Sequence, residues 1–356
     1  MASELTLRVV VVGLGVQGAK RRAVAGADVV ATVDPVHPEA GYRALADVPL
    51  AAYDAALVCT PDDAKLELLA HLLANGKHLL VEKPLLAPDN AAIEALAKVA
   101  RAKGAVCYTA YNHRFEPHFV RMKETIDSGK LGRIYSARLF YGNGTARLVR
   151  DSAWRDQGAG VLPDLGSHLL DQCLVLLGVP DALLLDVAAQ RDGALVHDCF
   201  HAQLRYDSLQ PGLRAVLHAG SLVPAGSPRF AVHGTQGSFI KHGMDAQEDA
   251  LKAGIRPQQA APTAWGLDPQ PGEVITMEDG QRLSRPAPEA RGCYPQLYVQ
   301  LRDCLLARRG PLPADAESMP APPVSAREVY QLMALLSRGE QSMREGRWVA
   351  CTDLRI

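Results

Sequence analysis

The four valines of RVVVV (8–12) run straight into GLGVQG, Gly13 to Gly18, and no other stretch limits the fold as tightly. Such a β-branched run suits a strand buried on both faces. AKRRAVA follows with helical character, and a second apolar run, Val29 to Val33, ends in Asp34, 21 residues past Gly13. Strand, G-x-G-x-x-G, helix, strand and acid in that order predict a dinucleotide-binding βαβ unit. Gly13 allows the tight turn, Gly15 lets backbone approach a pyrophosphate, and Gly18 lets the helix pack on the strand. Leu14, Val16 and Gln17 lie between them at the helix N-terminus, whose free N–H groups and partial positive charge suit phosphate. Asp34 is placed to accept hydrogen bonds from ribose hydroxyls. Its charge repels a 2′-phosphate, and Pro35 and Val36 offer no arginine or serine to receive one. NAD is therefore expected over NADP, with Arg43 too far along the chain to matter.

The pattern continues through AALVCTP (55–61), a helical 63–76, HLLVEKP (78–84), a helical 88–104 and AVCYTA (105–110). Strands alternating with helices at this spacing predict a doubly wound parallel sheet, an α/β Rossmann domain over residues 1–120. Ligands of such sheets bind beyond the carboxyl ends of the strands. Thr60-Pro61, Glu82-Lys83 and Tyr111-Asn112 follow strands there. After about residue 120 the character changes. The segments 133–142, 183–191, 197–206, 213–223, 229–234 and 237–242 read as successive strands, which predicts an α+β domain over 121–356. The stretch 255–290, rich in Pro, Gly, Gln and Ala, reads as the most loop-like.

At 356 residues two domains are the default. The 38 basic and 39 acidic side chains nearly cancel, so neither nucleic acid nor an anionic membrane is an expected partner. Lys20-Arg21-Arg22 reads as a solvated helix face. The apolar run near the start is too short for a secretory signal and leads into the glycine loop. No segment reaches the roughly 18 to 20 apolar residues of a membrane helix. The seven scattered cysteines form no C-x-x-C, which points to reduced thiols and a cytoplasmic setting.

Together with the glycine loop and Thr60-Pro61, VEKP (81–84), YNHRF (111–115) and GAGVLPDLGSHLLDQ (158–172) resemble the Gfo/Idh/MocA oxidoreductase family, and 221–254 resembles its scyllo-inositol dehydrogenase branch. The resemblance spans nearly the whole chain. It implies a second domain with an open, predominantly antiparallel sheet, whose exposed face makes the contact of a homodimer or homotetramer. It also implies an NAD-dependent oxidation of a secondary hydroxyl on a sugar, cyclitol or related polyol.

The resemblance makes Lys83, Asp164 and His168 the catalytic set. Lys83, fixed in extended backbone before Pro84, would reach the substrate oxygen near the nicotinamide and stabilise developing negative charge. A histidine titrates near neutrality, so His168 suits a general base, with Asp164 four residues earlier to orient it. Asp164 also reads as a helix N-cap after a turn over 160–163. Asp171 reads equally as a salt-bridge partner or a substrate contact. By the same resemblance Asn112 lies near the nicotinamide and Arg114 braces the domain junction. Trp154, Arg155 and Tyr294 would contact the substrate. Lys65 stands where many members carry histidine, which puts a stacking role there in doubt. The short segment between Trp154 and Asp164 argues against copying a relative's substrate.

No metal is expected. His197 and His201 fall on a predicted strand, over 13 Å apart along the chain at about 3.3 Å per residue, and no H-E-x-x-H or cysteine cluster is present. Two other readings stay open on the same fold: an NAD-dependent glycosidase, and a catalytically silent NAD(P) or sugar sensor.

Overall fold

The computed structural model describes residues 6–61, 64–83, 85, 90–142, 160–257, 265–308 and 324–355. They divide into two compact units. The first begins with β1 (Val9–Val12), α1 (Val16–Ala25), β2 (Val29–Val33) and β3 (Ala55–Val58). It continues with α2 (Lys65–Ala74), β4 (His78–Val81), α3 (Asn90–Ala102) and β5 (Cys107–Thr109). All five strands are parallel, in the order β2-β1-β3-β4-β5. Every residue of β1 and β3 is buried, as continuous valine, alanine and leucine runs require when helices cover both faces. From β1 the chain moves outward to β2 and then returns to β3 on the other side. The topological switch point thus lies between the carboxyl ends of β1 and β3.

The second unit holds α4 (Pro117–Asp127), β6 (Ile134–Gly142) and a π-turn (Leu162–Gly166) that runs into α5 (Ser167–Leu177). Then come β7 (Ala182–Ala188), β8 (Cys199–Arg205), β9 (Arg214–Gly220), β10 (Phe230–Gly234), β11 (Gly237–Lys241) and α6 (Ala246–Lys252). A hairpin, β12 (Glu273–Glu278) and β13 (Gln281–Pro286), and the short β14 (Val349–Ala350) complete a nine-stranded sheet, ordered β13-β12-β11-β10-β6-β9-β8-β7-β14. The β6–β9 pair is parallel and the other pairs are antiparallel. Period-two alternation sorts this sheet into faces. Ala137, Leu139, Phe200, Ala202, Leu204, Ala215 and Leu217 are buried on one side, while Arg138, His201, Gln203 and Arg214 project from the other.

Three expectations need correction. The loop-like stretch 255–290 contains the β12–β13 hairpin, turned by Asp279 and Gly280, both at positive φ. Aspartate-glycine between strands is the strongest short hairpin signal, and it was outweighed by the Pro and Gly content around it. The strand expected over 197–206 begins at Cys199, which leaves His197 in the preceding loop. Arg21 is not on a solvated face: it is buried and ion-paired with Glu82.

The first unit runs to Tyr111 and also includes Pro295–Met333. Within it, α7 (Gln296–Ala307) docks through Tyr298, whose hydroxyl donates to Asp28 at 2.7 Å, and through Arg302, 3.0 Å from the same carboxylate. Another helix, α8 (Ala326–Glu345), carries residues assigned to each unit. No helix among the described residues is long and apolar enough to cross a membrane.

Asp28→Ala should lower stability by about 1–3 kcal/mol, because a buried tyrosine hydroxyl and a guanidinium lose their acceptor. A urea titration would show a lower midpoint for the variant. An unchanged midpoint would mean that Asp28 does not hold α7.

Candidate functional site

In the first unit, backbone crowding shapes the nucleotide half. Gly13 has φ +87°, and a Cβ there would fall 2.7 Å from the Cys59 carbonyl oxygen. A Cβ on Gly18 would fall 1.8 Å from the Gly13 carbonyl oxygen. Helix α1 therefore seats against the β1 turn only because both side chains are missing. A Cβ on Gly15, by contrast, meets nothing within 4 Å. Gly15 is also the N-cap of α1 and supplies no side-chain cap, so the first-turn N–H groups of α1 face an open approach. Leu14 is buried, and Val16 and Gln17 are exposed at the same helix start. Across the switch point Thr60 Oγ1 is buried without a hydrogen-bond partner among the described residues, and Pro61 is exposed.

Asp34 organises its own loop. Its carboxylate accepts from the backbone N–H of Leu14 (2.8 Å), Val36 (3.0 Å) and His37 (2.8 Å). Burial works to raise its pKa, but these three donors outweigh it and hold the group below the usual carboxylate range. Arg43, nine residues on, is not remote: its Nη1 lies 2.7 Å from the His37 carbonyl and 3.4 Å from that of Asp34. A cleft of about 790 Å³ opens beside this loop, lined in part by Leu14, Arg22, Thr32, His37 and Tyr42.

The E-K-P turn rests on a buried polar cluster. Glu82 pairs with Arg21 of α1, and the Lys65 Nζ, itself buried, donates to the Glu82 carbonyl at 2.9 Å. Lys65 thus braces the peptide just before Lys83, the work of a buried strut rather than of a stacking group. Burial pushes the Cys59 thiol of this cluster far up, so it is inert as a nucleophile. Lys83 itself is half-buried in the bend after β4.

In the second unit, His168 is 2% exposed, on a helix whose Leu169, Leu170 and Cys173 are also buried. Asp164 is half-buried within the π-turn. Since helical geometry already begins at Val161, Asp164 is not an N-cap, and that reading is corrected. Two neighbours lock α5 in place. Asp171 is buried and takes a bidentate pair from Arg114, at 2.8 and 2.6 Å, so it is a structural anchor. Gln172 Nε2 donates to the His113 carbonyl at 3.0 Å. Asn112 starts the 3₁₀ turn Asn112–Phe115 that receives both anchors.

His113, in YNHRF, was missed by sequence reasoning, which singled out only its neighbours Asn112 and Arg114. Its ring centroid lies 4.1 Å from that of His168, 5.5 Å from Tyr141 and 5.8 Å from Tyr294. Its Nδ1 is 3.5 Å from Glu116 Oε2. Glu116 and Arg229 form a two-point ion pair at 3.1 and 2.8 Å, each only 1% exposed. Burial opposes ionisation of Glu116, but the Arg229 charge and then His113 override it and hold the carboxyl down at about 2. Tyr294 is buried, and its backbone N–H donates to Gln247 Oε1 at 2.8 Å. Trp154 and Arg155 lie outside the described residues.

Asp245 caps α6 by accepting from Gln247 N–H at 2.9 Å. Burial, followed by the Glu116 charge, raises its pKa to about 7 from an ordinary 3.8. A raised acid stabilises the fold fully below the unfolded value, and that contribution is lost as pH climbs through the folded one. Asp245→Asn keeps a capping oxygen and removes the titration. Its Tm should exceed that of the wild type above the shifted pKa and vary less between the two values. Parallel Tm profiles across that window would show that Asp245 does not titrate there.

The first unit therefore has what a dinucleotide needs: an uncapped helix N-terminus, an open glycine and an orphaned threonine hydroxyl at the switch point. Comparison with known proteins agrees. The model of an oxidoreductase-family NAD-binding Rossmann fold matches residues 7–111, and that of the same family's C-terminal α/β domain matches 123–351. The scyllo-inositol 2-dehydrogenase (NADP(+)) IolW of Bacillus subtilis is 33% identical over 303 residues, 84% of this chain and 79% of its own. The oxidoreductase YdgJ of Escherichia coli is 34% identical over 82% of this chain and 79% of its own. The solved structure of the YPO2259 protein of Yersinia pestis superposes with a TM-score of 0.84 at 31% identity, over 98% of both chains. The chain belongs to the Gfo/Idh/MocA oxidoreductase family.

Proposed function

We propose that this oxidoreductase is a dehydrogenase acting on a secondary hydroxyl of a sugar, cyclitol or related polyol, with NAD as its preferred cofactor. The observation that carries the proposal is His168, a buried imidazole faced by the His113 ring, on the helix α5 that Asp171 and Gln172 tie to Arg114 and to the His113 carbonyl. An imidazole so held has few rotamers left, which suits a base that must meet a hydroxyl proton in one geometry. The names of two relatives favour a polyol substrate: IolW, and the inositol 2-dehydrogenase of Rhizobium meliloti, 27% identical over 52% of this chain.

When bound, the nicotinamide supplies the hydride acceptor. The uncapped N-terminus of α1 and Gly15 would hold the pyrophosphate, and Asp34 and Thr60 the adjoining sugar. Asp34 Oδ2 accepts one of the three backbone bonds and Oδ1 two, so Oδ2 keeps a lone pair for a ribose hydroxyl. His168 takes the hydroxyl proton, Asp164 steadies the resulting imidazolium, and Lys83 stabilises negative charge on the oxygen. The carboxylate of Asp34 favours NAD, whereas Arg43 on the same loop and the NADP in IolW's name favour the phosphorylated cofactor. A like charge beside a 2′-phosphate is the larger effect, so NAD is expected to win.

The test is a sugar and polyol panel read as NADH or NADPH formation. On the best substrate, Lys83→Ala and His168→Ala should each lower turnover by about a hundredfold or more while NAD still binds. Near-wild-type turnover in either variant would remove that residue from the chemistry. Glycoside cleavage without net NADH would replace the dehydrogenase reading with a glycosidase one. Tenfold preference for NADP would reverse the reading of Asp34.

A further inference from the structure

Away from the groups considered so far, three soft-ligand side chains meet on the outer face of the nine-stranded sheet. Cys199 and His201 are two apart on β8, so they share a face, and His218 stands directly opposite His201 on β9. Their ligand atoms all lie within 4.8 Å of one another. Cys199 Sγ is 3.8 Å from His218 Nε2, and the two imidazole rings stack with centroids 4.0 Å apart. We propose that Cys199, His201 and His218 bind a divalent transition-metal ion of the zinc class.

Zinc–sulfur bonds of about 2.3 Å and zinc–nitrogen bonds of about 2.0 Å imply ligand–ligand spacings of roughly 3.3–3.8 Å in a tetrahedral site. Cys199 and His218, at 3.8 Å, stand within about 0.3 Å of the sulfur–nitrogen value in that range. His201 is exposed in the chain, and a side-chain rotation would close the remainder. The strand opposite Cys199 presents Gly220, which leaves the space beside both ligands open: a Cβ there would lie 3.4 Å from His218 Nε2 and 3.8 Å from Cys199 Sγ. The Phe140 ring, 5.1 Å from that of His218, walls the other side. Asp186, directly across from His201 on β7, offers a carboxylate for the fourth position, or water fills it.

The ligand chemistry fits. Binding displaces the Cys199 thiol proton to solvent as the metal–sulfur bond forms, with no change of oxidation state. Thiolate with imidazole selects zinc-class ions over magnesium or calcium. No linear motif marks the site, because the ligands are i, i+2 on one strand plus a partner 17 residues after His201, a pattern that exists only once β8 and β9 pair.

Chelator-treated full-length protein, titrated with cobalt(II), tests the site. One equivalent should bind with a thiolate-to-cobalt charge-transfer band, and added zinc should displace it. Cys199→Ser should lose the band. His201→Ala, at an exposed position, should bind at least about tenfold more weakly while its metal-free circular dichroism and Tm match the wild type. Cys293→Ser, at an exposed cysteine elsewhere, should keep the band. No cobalt binding by the wild type, a band that survives Cys199→Ser, or equal affinity in His201→Ala would each overturn the proposal.

Discussion

Backbone meets backbone where β1 turns into α1, and no side chain fits between them. The Gly13 and Gly18 contacts leave no room for even one methyl group, so α1 must lie against the ends of β1 and β3 with its N-terminus over the switch point. Much else in the first unit follows from that seat. Once α1 is down, Arg21 reaches inward to Glu82, and Lys65 of α2 reaches the same residue from the other side. The turn that presents Lys83 is thus tied to the helix whose uncapped N-terminus lies over the switch point. A buried ion pair adds little net stability over an apolar contact, but a broken one is costly. Its value here is geometric: the turn cannot shift without stranding a charge.

The second unit uses the same device on a larger scale. Arg229 donates to Glu116, to the Phe140 carbonyl and to Gln172 Oε1, all inside the protein. Gln172 in turn holds His113, whose Nδ1 also approaches Glu116. His168 therefore lies one helical turn from a residue that is hydrogen-bonded into a saturated charge network. The network keeps Glu116 ionised and pushes Asp245 toward its neutral form. Two carboxyl groups in one buried environment with pKa values driven apart are typical of functional sites; here Glu116 approaches the His113 ring that faces His168, and Asp245 caps α6.

The legibility of these features follows their locality. The parallel sheet was readable because G-x-G-x-x-G, the valine runs and the helix spacing are short-range signals with one common solution. The strands from β6 to β11 were readable from alternation alone, to within a few residues. What escaped is what depends on distant residues. Nothing about Lys20-Arg21-Arg22 shows that Glu82, 61 positions after Arg21, turns the middle side chain inward. Nothing about residues 296–307 shows that Asp28 claims the helix for the first unit. His113 was passed over because its importance comes from His168, Glu116 and Tyr294, which only the fold assembles. The β12–β13 hairpin is different: its aspartate-glycine turn was present to be read.

The π-turn at Leu162–Gly166 is where local and global demands conflict. In a regular helix Asp164 and His168 would stack four apart on one stripe, the arrangement the sequence suggests. The i→i+5 geometry widens the turn and re-aims Asp164 relative to the helix that carries His168. Pro163, which lacks an N–H, and Gly166, where a Cβ would lie 2.9 Å from Leu162 Cδ1 and 3.2 Å from the Phe200 ring, both sit inside it. A side chain at 166 would force the turn off β8. The widened turn is therefore imposed by packing, and its consequence is that Asp164 stays half-buried while His168 sinks into the interior.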